Sequence, residues 1–400
     1  MPEADETDAL DRKLDVLRDH ADDWAELALD RRIAMARSLL DRTLETAAEQ
    51  VELGVEAKGG EPSSAIEAEE WLAGPVVSAR NIRLLVQTLE AIDEDGDPPI
   101  DPSDVRRRSD GGLAVEVFPD TLWDRLLYAG LSAEVWMRDD VRTYDELLES
   151  TAHFYREDEP DPGVALVLGA GNVASITPLD ALYRLYAHGQ TVLVKMNPVN
   201  DYLGPILEER FAEFIDAGFV RFAYGGAQVG DYLCRHDEVD AIHVTGSDRT
   251  HDAIVWGTGD EAQRRREQDD PRVDKPITSE LGNVSPVVVL PGPWSSGDVD
   301  FHAANIASQL ANNAGFNCNA ARVLIRPEGW ETGDRLVDGV ESVLADVGTR
   351  PAYYPGARET FEEMTDDRDA VDRIGDPADG ELPWAILRDL DPDADDPLYR

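Results

Sequence analysis

The sequence predicts an α/β protein with two doubly wound α/β domains and an N-terminal helical region. From Val164 onward, short apolar runs alternate with helical stretches, which is the pattern of parallel strands joined by crossover helices. Before that point, Leu10, Leu14 and Leu17 recur at helical spacing, and no comparable alternation is present. The length of 400 residues agrees with this prediction, because it suits about two domains.

The first part of the chain is predicted to be mainly helical. Helical periodicity covers residues 5 to 50 and continues in residues 66–92, and acids, a glycine and prolines then break the second stretch at 93–102. A strand-like piece follows at 113–118. Residues 155–163, rich in acids and proline, are predicted to be a linker.

The remainder is predicted to contain two α/β sets. The first set has strands at 164–168, 191–195, 220–224 and 241–245, with helices at 176–187, 203–217 and 229–236 between them. The second set has strands at 287–290 and 322–326 and helices at 301–314 and 334–345. The charged segment 258–275 is predicted to be a solvated loop. We therefore expect a division into residues 1–278 and 279–400.

The charge balance excludes several classes of partner. There are 37 basic and 83 acidic residues, which gives a formal net charge of −46, and such a field repels nucleic acid and anionic membrane surfaces. Dispersed acids and only four lysines are typical of a halophilic protein, whose self-repulsion is screened by salt. The two cysteines fit neither a disulfide framework nor a zinc ribbon, and the first residues lack the pattern of a signal peptide. We therefore expect a cytoplasmic protein.

A candidate nucleophile is Cys318, which lies in the polar segment 312–320. A single cysteine is commonly a small buried hydrophobe, but here Gly315 and neighbouring asparagines provide a turn and hydrogen-bond donors. Cys234 lies on a predicted helix between Leu233 and Arg235, lacks such a setting and is predicted to be structural. Glu280, in front of a predicted strand, is either an exposed turn residue or a general base. Its spacing alone leaves both interpretations open.

Two strand-to-helix turns are candidate phosphate sites. Residues 168–173 form a glycine-containing turn, although they match only part of the dinucleotide-binding fingerprint. Gly246 and Ser247 begin a second predicted helix, where backbone N–H groups favour a pyrophosphate. Tight turns and ordinary helix caps, with Ser247 as an N-cap, explain the same patterns. The choice between these interpretations stays open on local sequence alone.

Taken together, these segments resemble the aldehyde dehydrogenase superfamily. Five matches occur in family order: Asn172 before a helix, a strand ending in Lys195, the Thr245-Gly246-Ser247 turn, Glu280-Leu-Gly, and Gly-Phe-Asn-Cys318. The resemblance implies that Cys318 attacks an aldehyde carbonyl, that Asn172 holds the oxyanion and that Glu280 activates water. It also implies that NAD or NADP binds near Lys195, Gly226, Gly246 and Ser247. No metal ion is expected. The implied activity is aldehyde oxidation to a carboxylic acid.

The sequence also departs from the family pattern. Gly171 stands where the family usually has Trp, and Pro198 stands where a ribose-binding Glu is common, so the choice between NAD and NADP stays open. The stretch Gly171-Asn172-Val173 resembles the corresponding segment of fatty acyl-CoA reductases of the bioluminescence type. After Cys318 we find no match to the family's Glu-x-Phe motif, since Glu359 and Phe361 lie too close to the cysteine. We therefore expect a chain shortened at its C-terminus or lacking that nicotinamide anchor.

Three functions consequently stay open. The favoured one acts on a small-molecule aldehyde; an alternative is an acyl-CoA reductase or CoA-acylating aldehyde dehydrogenase, which would use an acyl thioester. The third is a non-catalytic dinucleotide-binding protein. No nucleic acid or membrane partner is expected, and assembly into a homo-oligomer is left open.

Overall fold

The computed structural model describes residues 4–157, 162–282, 284–366, 368, 370–388, 390, 391, 393 and 398. The helices are α1 Ala4–Asp19, α2 Ala21–Ala25, α3 Leu29–Glu45, α4 Ala47–Ala57, α5 Ala65–Trp71, α6 Val77–Asp95, α7 Leu122–Leu127, α8 Tyr144–Glu149, α9 Ile176–His188, α10 Gly204–Arg210, α11 Ala212–Asp216, α12 Ala227–Cys234, α13 Asp248–Val255, α14 Gly259–Gln268, α15 Ser296–Ala311, α16 Glu331–Val347 and α17 Ala357–Thr365. The strands are β1 Val105–Arg107, β2 Leu113–Phe118, β3 Ala133–Trp136, β4 Val164–Leu168, β5 Thr191–Lys195, β6 Val220–Ala223, β7 Ala241–Gly246, β8 Ile277–Leu281, β9 Pro286–Val288, β10 Val323–Ile325, β11 Arg350–Pro351, β12 Val371–Ile374, β13 Glu381–Leu382 and β14 Trp384–Leu387. The α/β class and the N-terminal helical region are confirmed.

A five-stranded parallel sheet forms the centre of the first unit. Its strand order is β6-β5-β4-β7-β8, and every neighbouring pair runs parallel. β4 and β5 are buried along their whole length, which agrees with their continuous apolar sequence. The chain runs outward from β4 through β5 to β6 and then crosses to β7 on the other side. In such sheets, ligands bind at the carboxyl ends of the strands near this switch.

The N-terminal helices pack on this sheet. Leu14 and Leu17 of α1 are fully buried in a cluster with β4, β5 and β7, and each contributes about 1.5–3 kcal/mol of transfer free energy. Trp24 of α2 is also fully buried, and its indole N–H donates to the Leu185 carbonyl of α9 over 3.0 Å. The helical region is therefore part of the core that supports the sheet.

The predicted loop at 258–275 is wrong in part, because α14 occupies Gly259–Gln268. Its sequence has no apolar face, so hydrophobic periodicity could not reveal it. The helix instead has acids in its first turn and arginines in its last turn, which complements the helix dipole. Arg265 also pairs with Glu261 one turn earlier, over 3.0 Å.

The second unit surrounds α15 and α16, which share an apolar cluster with Val289, Ile374 and Trp384. β9 and β10 form a parallel pair, whereas β12–β14 and β11–β13 are antiparallel. β8 belongs to the first sheet, so a division between residues 278 and 279 falls inside that strand. The division into two domains stays a prediction.

A small antiparallel sheet, in the order β1-β2-β3, packs against α8. Leu113 and Val115 of β2 are buried in a cluster with Leu147 of α8. The predicted linker at 155–163 includes residues 158–161, which lie outside the described residues. Across the described part of the chain, no helix is long and apolar enough to cross a membrane.

Candidate active site

Four candidate residues lie at the carboxyl edge of the parallel sheet. Lys195 is the last residue of β5, and Gly226 is the N-cap of α12 just after β6. Gly246 ends β7, and Ser247 is the N-cap of α13. Because parallel strands end at the same edge, the fold brings these residues to one side of the sheet.

This edge has room for a ligand. A Cβ placed on Gly226 would meet no atom within 4 Å, and one on Gly246 would meet only Val244 Cγ2, at 4.0 Å. Lys195 is 7% exposed, and burial lowers the pKa of its ammonium, partly opposed by Asp201. Among the described residues, the Lys195 ammonium has no hydrogen-bond partner. The backbone at the two glycines is therefore uncovered, and it lies at the same edge of the sheet as the Lys195 ammonium.

Ser247 has a structural role. Its hydroxyl accepts a hydrogen bond from the Thr250 N–H over 3.1 Å, which is the geometry of an N-cap. The interpretation as a helix cap is therefore correct for its side chain, and the backbone N–H groups at the start of α13 are what could face an anion.

Asn172 lies in the turn between β4 and α9, and its side chain reaches the loop that carries Cys318. Nδ2 donates to the carbonyl oxygen of Phe316 over 2.8 Å. A carboxamide nitrogen has two N–H groups, so this bond fixes the orientation of the amide and leaves a second donor. Gly171 permits a close approach here, because a Cβ would lie 2.8 Å from Asn197 Oδ1 and 3.0 Å from the Tyr354 hydroxyl.

Cys318 lies in a turn after the 3₁₀ segment Asn312–Gly315 and is half-buried and free. Arg322 closes this loop by donating to the Gly315 carbonyl over 2.9 Å. Cys234, by contrast, is 1% exposed within the core, and burial raises the pKa of its thiol to about 12. The two cysteines therefore occupy different environments, and Cys318 is the more accessible thiol.

Glu280 is an exposed residue of the edge strand β8, paired in register with Thr245. Within the described ranges, no hydrogen bond or ion pair joins it to Cys318 or Asn172. The strand itself is anchored two residues earlier, where the Thr278 hydroxyl contacts His243 Nδ1 over 2.8 Å and accepts a hydrogen bond from Arg184. The structure thus joins Asn172 to the Cys318 loop but does not bring Glu280 into contact with either.

The structure also reveals residues that sequence reasoning did not assign. The main-chain carbonyl oxygen of Asn172 accepts hydrogen bonds from Lys58 Nζ, Asn313 Nδ2 and the Tyr353 hydroxyl. The Tyr353 hydroxyl donates to Asn313 Oδ1 over 2.9 Å, its ring lies 5.0 Å from that of Phe316, and burial raises the pKa of its phenol. The only sequence signals were the scarcity of lysine and a Tyr-Tyr pair between prolines.

Comparisons with known proteins point to one family. The Aldehyde dehydrogenase family model matches residues 128–352, more than half of the chain. N-succinylglutamate 5-semialdehyde dehydrogenase of Novosphingobium aromaticivorans is 28% identical over 210 residues, which cover 52% of this chain and 40% of that protein. Human 4-trimethylaminobutyraldehyde dehydrogenase is 28% identical over 218 residues, covering 52% and 38%. The chain thus spans less than half the length of these relatives.

The fold is also similar to solved structures. An NADP-dependent glyceraldehyde-3-phosphate dehydrogenase from Bacillus halodurans, solved with NADP, superposes with a TM-score of 0.63 at 15% identity. That alignment covers 96% of this chain and 70% of the other. At this identity the likeness shows the fold alone. The match of the family model to more than half of the chain shows that the chain belongs to the aldehyde dehydrogenase family.

Proposed function

We propose that this protein oxidises an aldehyde to a carboxylic acid with NAD or NADP, using Cys318 as the nucleophile. The observation that carries the proposal is the 2.8 Å hydrogen bond from Asn172 Nδ2 to Phe316 O. It ties an amide donor to the loop that bears the more accessible thiol. Family membership and the aldehyde dehydrogenases that match the chain support aldehyde chemistry.

The first step forms a bond between sulfur and carbon. The Cys318 thiolate attacks the aldehyde carbon, and the carbonyl electrons move to oxygen to give a thiohemiacetal. The second N–H of Asn172 Nδ2 and the Cys318 backbone N–H donate to this oxyanion. Loss of hydride from the carbon then restores the carbonyl as a thioester. The residues of the chain hold the substrate and stabilise charge in this step.

The second step cleaves the thioester. Glu280 takes a proton from water, the water oxygen attacks the thioester carbon, and the Cys318 thiolate leaves. The exposed carboxylate has no partner within the described residues, so it is available as a base. The net reaction converts aldehyde, water and NAD(P)⁺ to carboxylic acid, NAD(P)H and a proton.

The sheet edge fits a dinucleotide. The open backbone at Gly226 and Gly246 lies at the starts of α12 and α13, and helix N-termini favour the oxygens of a pyrophosphate. Ser247 caps α13. Lys195, a buried cation at the end of β5, would contact the adenosine ribose. When bound, the dinucleotide supplies the hydride acceptor.

The test is an aldehyde panel at high salt, with NAD or NADP and with or without CoA, read by the absorbance of reduced cofactor. We expect reduction without CoA. A strict requirement for CoA would favour the acyl-CoA alternative instead. Dinucleotide binding without turnover on any aldehyde would favour the non-catalytic one.

A further inference from the structure

The ammonium group of Lys58 lies in the interior beside the candidate active site. The side chain is 6% exposed, and Nζ donates to Glu70 Oε1 over 2.6 Å, to Asn313 Oδ1 over 3.0 Å and to the Asn172 carbonyl over 3.1 Å. An ammonium has three donors, so all three are used. One side chain thus connects the end of α4 and helix α5 to both loops of the site.

Asn313 extends this connection to the nucleophile. Its Nδ2 donates to the Asn172 carbonyl and to Asn317 Oδ1, each over 3.0 Å, and Asn317 directly precedes Cys318. Its backbone N–H donates to Glu69 Oε2 over 3.0 Å. Asn313 has φ 52° and ψ 39°, a left-handed conformation that asparagine tolerates better than most residues. The carboxamide therefore bridges the two loops from a fixed backbone position.

The sequence makes specific room for this arrangement. Gly54 lies inside α4, where glycine costs about 1 kcal/mol of helix propensity relative to alanine. A Cβ at Gly54 would collide with Glu70 Oε2, so the glycine leaves space for the carboxylate. Lys58 is also one of only four lysines in an arginine-rich chain. A compact ammonium can donate in three directions to closely packed oxygens, unlike a planar guanidinium.

A buried ion pair is not in itself evidence of stability. Replacing both members by apolar residues is often neutral, whereas removing one leaves a costly unpaired charge. What the pair can provide is a defined geometry at the groups that it contacts. Those groups are the backbone of Asn172 and the side chain of Asn313.

We propose that Lys58, held by Glu70, is a positioning residue of the active site. It fixes the Asn172 backbone and the Asn313 carboxamide, and thereby the relative placement of the Asn172 amide and the Cys318 thiol. The catalytic consequence rests on the proposed function, but the placement of the thiol can be tested without any turnover.

The experiment compares three variants of the full chain at high salt. K58M/E70L removes both charges together and leaves no lone buried ion. N313G keeps the left-handed backbone accessible and the Lys58–Glu70 pair intact, but removes the bridging carboxamide. The control R80M/D124N removes another ion pair with a buried carboxylate, Arg80–Asp124, whose hydrogen bonds among the described residues involve neither loop. Two readouts are taken: kcat and KM, and the rate of Cys318 alkylation by iodoacetamide, measured by peptide mass spectrometry.

We expect K58M/E70L and N313G to lower kcat by about 10- to 100-fold with little change in KM, since small misplacements of reacting groups have effects of this size. Both should also change the alkylation rate of Cys318, while the control matches the wild type in both readouts. If K58M/E70L does not fold, N313G alone decides. Wild-type alkylation and kcat in N313G would overturn the proposal. If the wild type has no dehydrogenase activity, the proposed function fails, and the alkylation rates still decide whether Lys58 positions the thiol.

Discussion

The two sides of the candidate site are held in place by different kinds of contact. On the dinucleotide side, Gly226, Gly246 and Ser247 are placed by strand-to-helix turns, and the Ser247 cap bonds to Thr250, three residues away. On the nucleophile side, the Cys318 loop is held by partners as distant as Lys58 and Asn172. The first side should therefore tolerate local changes with local effects. The second should lose its geometry when any of several remote residues is changed.

The largest effect is expected from Cys318→Ala. Turnover should fall by about 10⁴-fold or more, because loss of a nucleophile costs orders of magnitude, while dinucleotide binding on the other side is retained. Steady-state rates and cofactor titration by fluorescence measure the two quantities. Cys234→Ala, in the buried core, is the control and should keep its activity once folded. Residual activity above about 1% in Cys318→Ala would contradict the assignment.

Sequence reasoning was accurate where structure depends on neighbours along the chain. The bounds of β4 and β5 agree with prediction, because their apolar runs are short and continuous. The role of Lys58 could not be predicted, because nothing in the sequence around residue 58 indicates its hydrogen bond to Asn313. The helix α14 was not predicted, because it is favoured by acids in its first turn and arginines in its last turn and has no apolar face. Long-range polar contacts have no periodic signature in a single sequence.

Glu280→Gln tests the residue that the structure does not join to the nucleophile side. If Glu280 is the base for deacylation, steady-state turnover should fall by about 10²- to 10⁴-fold. Acylation should be less affected, which gives a burst of reduced cofactor followed by a slow phase in stopped-flow absorbance. Glu116→Gln, another exposed strand glutamate, serves as the control and should behave as wild type. Equal slowing of both phases would place Glu280 outside the deacylation step.

Asn172→Ala tests the amide that joins the turn between β4 and α9 to the Cys318 loop. We expect kcat to fall by about 10²- to 10³-fold, as for loss of one oxyanion donor, with the Kd for dinucleotide nearly unchanged. The control is Asn200→Ala, because the Asn200 amide likewise donates to a main-chain carbonyl, that of Ala170 over 3.3 Å, although Asn200 is buried and Asn172 is half-buried. The control should lower the melting temperature comparably but reduce kcat much less. Similar kcat losses in both variants would reduce Asn172 to a structural role.

The smallest effect is expected on the dinucleotide side, from Ser247→Ala. Loss of the cap should cost about 1 kcal/mol in the free energy of unfolding, because the Thr250 N–H loses its acceptor. Frayed N–H groups at the start of α13 would also bind pyrophosphate less well, so the Kd for NAD or NADP should rise. Ser295→Ala is a close control: Ser295 caps α15 by accepting from the Asp298 N–H, in the second unit. Chemical denaturation should give similar losses for both variants, whereas cofactor titration should separate them. An equal Kd in the Ser247 and Ser295 variants would mean that the start of α13 does not face the dinucleotide. The contrast between a cofactor side held by local contacts and a nucleophile side held by remote contacts would then rest on Gly226 and Lys195.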